Sequence, residues 1–389
     1  MKILGIDTSC DETSIAIINA NGDFDAPEFE TLSNIISSQI KIHQEWGGVF
    51  PALAKREHQN NLAPVLLDAL RTAQLLKEEK TQISDEQQAE IKKLLEREQS
   101  LADDLLAIFK NYAKPDIDLI AVTTAPGLEP CLWVGINFAK AISYFWNIKL
   151  TPINHIESHL LANYLNGNKQ QIKYPAIALI VSGGHTQLIL MNKIGEYKII
   201  GKTLDDAAGE CFDKVARILS LGYPGGPIIE KIAQEQTGKE KKYNITLPRP
   251  MLKQKSYDFS FSGLKTAVLY EFKKQTPEIQ QDIDYKNELA TEAQNAILDV
   301  LIKKTILAAK EHNAQTVILG GGVTASNALK QKMQKTLSNE IPGIIMVAPE
   351  IILSTDNAAM VAVTGFFHKS KVLPYWENDN FVAKSRVDI

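Results

Sequence analysis

Two hydrophobic periods alternate along this chain, one suited to strands and one to helices. Residues 2–7 and 14–19 read as strands joined by the polar turn 8–13, and 119–124 reads as a third, closed by Ala125-Pro126-Gly127. Residues 176–181 and 186–191 are strands around Ser182-Gly183-Gly184-His185, a hairpin signal. A short strand at 316–319 runs into Gly320-Gly321-Gly322. Helical spacing covers 135–146, 155–164, 205–219, 226–236, 288–312, a stretch from Ala325, and 357–367. Strands paired around short turns in each half, with helices between them, predict an α/β protein of two lobes with a boundary near Leu150.

One stretch stands apart. From Lys77 to Asp104 there is no Gly or Pro, and apolar residues recur at Ile91, Leu94, Leu95, Leu101, Leu105, Ile108, Phe109 and Tyr112. Ser84 followed by Gln87 makes a helix start. The pattern predicts a surface helical pair over roughly 62–112. Residues 77–104 carry nine acids and five bases, which accounts for the whole formal charge of -4, so the rest of the chain is neutral. The stretch is either a partner-docking arm or a solvated insertion.

A chain of 389 residues with near-neutral balance is not one that coats nucleic acid with a basic surface. Engaging a single exposed base needs only a local basic path, so RNA substrates stay open. Three cysteines without a CxxC pair fit a reducing compartment. The N-terminus lacks a signal-peptide pattern and no apolar run reaches membrane-spanning length. A soluble cytoplasmic protein is expected.

The glycine turns carry candidate chemistry. Ser182-Gly183-Gly184 ends a strand, Gly225-Gly226 opens a helix, and Gly320-Gly321-Gly322 precedes another. Glycines let a backbone approach a phosphate, and the N–H groups there favour anions. Each alone is an ordinary tight turn; three together with the acidic turn 8–12 point to a nucleotide. Neither a P-loop nor a GxGxxG fingerprint is present. His155 and His159 lie four apart, so a helix stacks both imidazoles on one face, within reach of one metal ion. Glu157 sits at a different phase, which removes the main support for a zincin-type peptidase. Asp356, just before a helix, is a candidate third ligand. Two imidazoles and a carboxylate suit Fe(II) or Zn(II) with open positions.

Taken together, GIDTSCDET (5–13), NHIESHLLA (154–162), VSGGHTQL (181–188), DDAAGECFDKVARIL (205–219), GYPGGP (222–227), FSFSGLKTA (259–267), GGGVTAS (320–326) and STDNAAM (354–360) resemble the tRNA N6-adenosine threonylcarbamoyltransferase family, bacterial or organellar type, once described as O-sialoglycoprotein endopeptidases. The blocks occur in family order and span most of the chain. The resemblance implies an actin-like ATPase fold of the sugar-kinase, Hsp70 and actin type, with two lobes around a nucleotide- and metal-binding cleft. Residues 1–150 would form the N-terminal lobe with the acidic insertion near 77–104. Residues 151–355 would form the C-terminal lobe with metal and donor sites, and 356–389 a closing helix and tail returning to the N-terminal lobe. It implies transfer of the threonylcarbamoyl group of L-threonylcarbamoyl-adenylate to N6 of adenosine 37 in tRNAs that read codons beginning with A.

By motif position, the resemblance implies His155, His159 and Asp356 as ligands of one divalent metal, Fe(II) first and Zn(II) second. It implies Ile180, Val181, Ser182, Gly183, Gly184, Asp213 and Gly226 as donor-binding positions, with Asp213 toward the ribose. Asp11 and Glu12 are the expected catalytic acids, positioning the acceptor amine or taking its proton. Where the family places Asn, this chain has Ser326, followed by Asn327; either would contact the donor adenine. The loop Ala125-Pro126-Gly127-Leu128 also departs from the family's leading glycine. The implied partners are tRNA, a paralogous actin-like-fold protein, a P-loop ATPase and a separate synthase for the adenylate, with no membrane. The rival readings are a small-molecule kinase on the same fold, a metalloprotease, and a non-catalytic partner.

Overall fold

The computed structural model describes residues 1–24, 26–165, 172–372, 374, 381–387 and 389. Part of the predicted tail (373, 375–380 and 388) lies outside the described residues. The chain divides into two compact units: Met1–His43, Val49–Gly167 and Asp356–Ile389 form the first, and Gln44–Gly48 and Asn168–Thr355 the second.

In the first unit, β1 (Lys2–Asp7), β2 (Glu12–Asn21) and β3 (Glu28–Ser38) form an antiparallel meander. Helix α1 (Ile40–Gln44) then leads to α2 (Pro51–Thr72), α3 (Asp85–Leu94) and α4 (Gln99–Asn111). Strand β4 (Leu119–Ala125) pairs parallel to β1, and after α5 (Glu129–Trp146), β5 (Lys149–Asn154) pairs parallel to β4. The sheet order is β3-β2-β1-β4-β5. Helix α6 (His155–Leu161) follows β5 directly, its N-terminus capped by the Asn154 side chain, which accepts from Ile156 and Glu157 N–H.

The pairing of β5 with β4 carries the first unit beyond the boundary near Leu150 that the sequence pattern indicates. It takes α6, and with it His155 and His159, into this unit rather than into a C-terminal lobe. The predicted surface helical pair is also corrected. It is three helices, α2 to α4, starting at Pro51, and their inner faces are core: Leu66, Ile91, Leu101, Leu105 and Phe109 pack with Leu4, Ile15 and Phe138. Five of the nine acids of 77–104 lie on α3 and α4, and the others (Glu78, Glu79, Glu96 and the buried Glu98) lie in the segments that lead into them. The α3 start is as expected, a capping box between Ser84 and Gln87.

In the second unit, β6 (Ala176–Val181), β7 (Thr186–Lys193) and β8 (Glu196–Lys202) form a second antiparallel meander. Helices α7 (Ala208–Ile218), α8 (Gly225–Gln236), α9 (Ser262–Lys273), α10 (Pro277–Gln281) and α11 (Ile283–Glu311) precede β9 (Thr316–Gly320), which pairs parallel to β6. Helix α12 (Asn327–Glu340), strand β10 (Ile345–Val347) parallel to β9, and α13 (Ile351–Ser354) complete it. Its sheet order, β10-β9-β6-β7-β8, repeats that of the first unit: a three-stranded meander whose first strand continues into two parallel strands. Its core packs Ile177, Leu179 and Leu188 against Phe212, Leu289 and Ile297.

The last helix, α14 (Ala358–Phe367), belongs to the first unit and packs on β1, β2 and β4. It is buried from Ala358 to Phe366. Gly5 makes this approach possible, because a Cβ there would lie 2.2 Å from the Ala358 carbonyl oxygen. Among the described residues no helix is long and apolar enough to cross a membrane.

Candidate metal centre and glycine turns

The carboxyl ends of β1 and β5 and the start of α14 meet in the first unit. Asp7 ends β1, His155 opens α6 immediately after β5, and Asp356 lies two residues before α14. The His155 and His159 rings face each other edge-on, with centroids 4.7 Å apart. Asp356 Oδ1 lies 3.4 Å from His155 Nε2 and 3.2 Å from His159 Nε2. One ligand atom from each of the three residues can be chosen so that all lie within 4.8 Å of one another, the span of a single ion's coordination sphere.

Both imidazoles are buried, at 5% and 1% exposure. Among the described residues neither ring nitrogen of His159 makes a well-aligned hydrogen bond, nor does Nδ1 of His155; the facing carboxylates of Asp356 and Asp7 are ionic neighbours only. Buried polar atoms without partners are rare in folded proteins and call for something that satisfies them. The donor set, two imidazole nitrogens and one carboxylate, fits a divalent cation. Asp7 stands behind the pair, with Oδ2 3.5 Å from His155 Nδ1 and Oδ1 accepting from Ser9 N–H. Such an outer carboxylate orients a ligating ring.

The electrostatics agree with a pocket that draws a cation. Burial opposes charge on His155, but Asp356 and Asp7 outweigh it and hold its pKa well above the usual value. Burial also opposes ionisation of Asp356, yet the two histidines keep its carboxyl well below the usual range. Asp11 and Glu12, in the same unit, titrate upward. Burial is the main cause for both, with Asp356 adding to Asp11, and Asp11 and Asp356 adding to Glu12. Asp11 is buried and Glu12 half-buried. The Asp11 carbonyl accepts from Gln39 N–H, fixing the turn between β1 and β2.

In the second unit the glycine turns gather at the carboxyl ends of the parallel strands β6 and β9, where α/β sheets bind ligands. Ile180 and Val181 are the buried end of β6. The turn after them is closed by Ser182 N–H to the His185 carbonyl and His185 N–H to Ser182 Oγ. Gly183 and Gly184 are exposed, and a Cβ at either would meet nothing within 4 Å. Gly321 closes over Val181 with φ +88°, a conformation that demands glycine. Gly209, at the start of α7, touches the Ser182 carbonyl with no room for a Cβ.

Asp213 on α7 accepts from Gly225 N–H at 2.7 Å, so it fastens the start of α8. Gly226 beside it opens to free space. Ser326 caps α12, accepting from Leu329 N–H and donating to Glu230 on α8. Asn327, the next residue, is exposed. The helices α7, α8 and α12 therefore all begin around the ends of β6 and β9.

The residues expected at the metal thus converge with Asp11 and Glu12 in the first unit. The expected donor positions converge separately in the second. The sequence pattern had placed metal and donor in one C-terminal lobe; the division follows from β5 joining the first sheet. Two residues escaped sequence reasoning. Asp7 carried a signal, a carboxylate at the carboxyl end of a strand. Glu230 lies one helical turn beyond Gly226, but nothing in its spacing pointed to Ser326.

A family model described as tRNA N6-adenosine threonylcarbamoyltransferase matches residues 30–84 and 91–363. The chain belongs to this family. The relative of that name from Persephonella marina is 43% identical over 369 residues, covering 94% of this chain and 90% of its own. The one from Bacillus subtilis is 41% identical over 365 residues, with the same coverage of both chains. The break in the family match, at residues 85–90, falls in the first turns of α3. Among solved structures, HypF in its phosphate- and nucleotide-bound form aligns with a TM-score of 0.50 at 11% identity, over 94% of this chain and 55% of that one. HypF of T. kodakarensis gives 0.52 at 13%, over 95% of this chain and 48% of that one. These likenesses concern the fold alone, which is that of the actin-like ATPases, in keeping with the repeated sheet order.

Proposed function

We propose that this chain, as a tRNA-modifying transferase of its family, moves the threonylcarbamoyl group of L-threonylcarbamoyl-adenylate to N6 of adenosine 37 in tRNAs reading codons that begin with A. In this reading His155, His159 and Asp356 hold one divalent metal, Fe(II) or Zn(II). The observation that carries it is the buried imidazole pair, set against one carboxylate with ring nitrogens that make no well-aligned hydrogen bond among the described residues, in a chain of this family. When bound, the metal supplies Lewis acidity to the carbamoyl group.

The chain's own residues account for the rest. Gly183 and Gly184 leave backbone N–H groups open to the adenylate phosphate, and the starts of α7, α8 and α12 add their dipoles. Asp213 and Gly226 bound the ribose side. With the Ser326 hydroxyl engaged by Glu230, Asn327 is the side chain left to meet the adenine. In the transfer, N6 forms a bond to the carbamoyl carbon, the bond from that carbon to the phosphate oxygen breaks, and AMP departs. One N6 proton must leave. Glu12, whose proton affinity burial and the neighbouring Asp11 and Asp356 raise well above that of an ordinary carboxylate, is suited to take it, with Asp11 beside it positioning the amine. The paralogous partner, the P-loop ATPase and the adenylate synthase are expected companions, and the cytoplasm the expected compartment.

The test is reconstitution from metal-loaded protein, the adenylate donor and unmodified tRNA, with the expected companions, scored for t6A by mass spectrometry. Product is expected, and lost in His159→Ala. Absence of product with every companion set would overturn the reading.

A further inference from the structure

Glu157 lies between the two histidines in sequence, off their shared face, and the reaction just described gives it no task. Its place in the fold does. Glu157 is 6% exposed, and its Oε2 lies 2.9 Å from Nε2 of His368. His368 is the residue that ends α14. Asp356 stands just before the other end of the same helix. The helix carrying both imidazoles is therefore held to α14 at two places about one helix length apart, roughly 15 Å for ten residues. A third contact reinforces the distal one: Tyr164, just beyond α6, packs edge-on against Phe367, with ring centroids 5.4 Å apart.

Burying a carboxylate is costly, and apolar packing would join two helices at least as well. What a buried carboxylate–imidazole contact adds is a fixed register. A slide or rotation of α6 along α14 breaks the 2.9 Å contact, and the same motion would move His155 and His159 relative to Asp356. We infer that Glu157 and His368 form a clamp that sets the register of α6 on α14 and so fixes the geometry of the ligand set. They are positioning residues and touch neither substrate nor metal. The inference rests on the metal reading above.

The experiment uses the full chain and four variants: Glu157→Ala, Glu157→Gln, His368→Ala and the Glu157→Ala/His368→Ala double. Zn(II) affinity is measured by competition with a chromophoric chelator. The visible spectrum of the Co(II) form reports ligand geometry, and thermal unfolding of the metal-free protein reports folding. Glu157→Ala and His368→Ala are each expected to weaken Zn(II) by about 10–100-fold and to alter the Co(II) spectrum. The double variant should be no worse than Glu157→Ala alone, because the contact that His368→Ala removes is already gone. Glu157→Gln keeps an acceptor oxygen and should recover most of the affinity. His368 is the more exposed partner, with 28% of its side chain accessible, so His368→Ala carries the test if Glu157→Ala misfolds.

Unchanged affinity and spectrum in His368→Ala would overturn the clamp while leaving the metal site standing, provided His159→Ala abolishes binding. If wild type and His159→Ala bind Zn(II) alike, the metal reading itself fails, and the clamp with it.

Discussion

Gly5→Ala is the sharpest test of how the fold serves the site. Gly5 sits mid-strand in β1, paired with Ala16 on one side and Ala121 on the other. A Cβ there would lie 2.2 Å from the Ala358 carbonyl oxygen, 2.9 Å from Ala362 N and 3.0 Å from Ala362 Cβ. A carbon meets a carbonyl oxygen comfortably at about 3.3 Å, so α14 must retreat by about 1 Å. The two nearest atoms are main chain and the third is an alanine Cβ, so no side chain can turn away. Overpacking of this kind costs about 3 kcal/mol, the upper part of its usual range. For a unit of this size that lowers Tm by roughly 6–12 °C. The retreat also carries Asp356, two residues before Ala358, away from two imidazoles that now lie 3.2 and 3.4 Å from it. Zn(II) affinity should therefore fall at least about tenfold, since ligand sets lose that much when their support shifts. Thermal unfolding of the metal-free protein and chelator competition read the two effects separately. Gly263→Ala is the control: its Cβ would meet nothing within 4 Å, and it should leave both unchanged or raise Tm slightly. An unchanged Tm in Gly5→Ala would refute the packing argument. A lowered Tm with unchanged affinity would refute its connection to the ligands.

Three further expectations follow from the geometry. His58 is fully buried, accepting at Nδ1 from Thr13 Oγ1 and donating from Nε2 to the Cys10 carbonyl, so the neutral ring is the one that fits; burial lowers its pKa to about 4. The unfolded chain then binds the proton more tightly, so this contribution is complete above about pH 6.5 and is lost as pH falls toward 4, by about 3 kcal/mol in all. Denaturant titrations of wild type and His58→Gln should show that the variant lacks this part of the slope; identical slopes would remove the claim. Gly184→Ala should raise KM for the adenylate donor at least about tenfold while leaving Tm within about 1 °C, because its Cβ enters open space that only the ligand fills; an unchanged KM would mean that the phosphate lies elsewhere. Asp205 accepts from Ser260 Oγ, Ser262 Oγ and the N–H groups of Phe261 and Ser262, so Asp205→Ala should destabilise the second unit by about 1–3 kcal/mol in denaturant titration, and a neutral result would show those bonds replaced by water at no loss.

The helices that carry motifs were legible in sequence from their helical spacing: α5, α7, α8, α11 and α14 fall within a few residues of expectation, apart from the earlier starts of α5 and α11. The strands that escaped are edge or near-edge ones. KLTPIN holds Pro152, which argues against a strand, yet β5 is the sheet edge, where a proline is tolerated. EFETLSNIISS and EYKIIGK are half exposed at the opposite edges, so their alternation is blurred. Missing β5 moved the boundary to Leu150 and put His155 and His159 in the wrong unit. Helix α9 escaped because its start is held by Asp205, far off in sequence. In the candidate site, spacing paired the two histidines, its place just before a helix made Asp356 a candidate third ligand, and the family pattern singled it out. The contacts of Asp7, Glu230 and His368 depend on pairings across the fold that no local window contains.

The first unit is assembled from both ends of the chain, and this has a consequence for how the protein is made. During synthesis the sheet from β1 to β5 leaves the ribosome complete with two imidazoles, while α14 is still about two hundred codons away. At about 5–20 residues per second, some 10–40 s pass before it emerges. Through that interval the face of β1, β2 and β4 that α14 will cover is without that cover, and the candidate ligand set is short of its carboxylate. A chain that stops before Asp356 in this numbering therefore lacks both the cover and the candidate carboxylate ligand, however well its earlier portions fold.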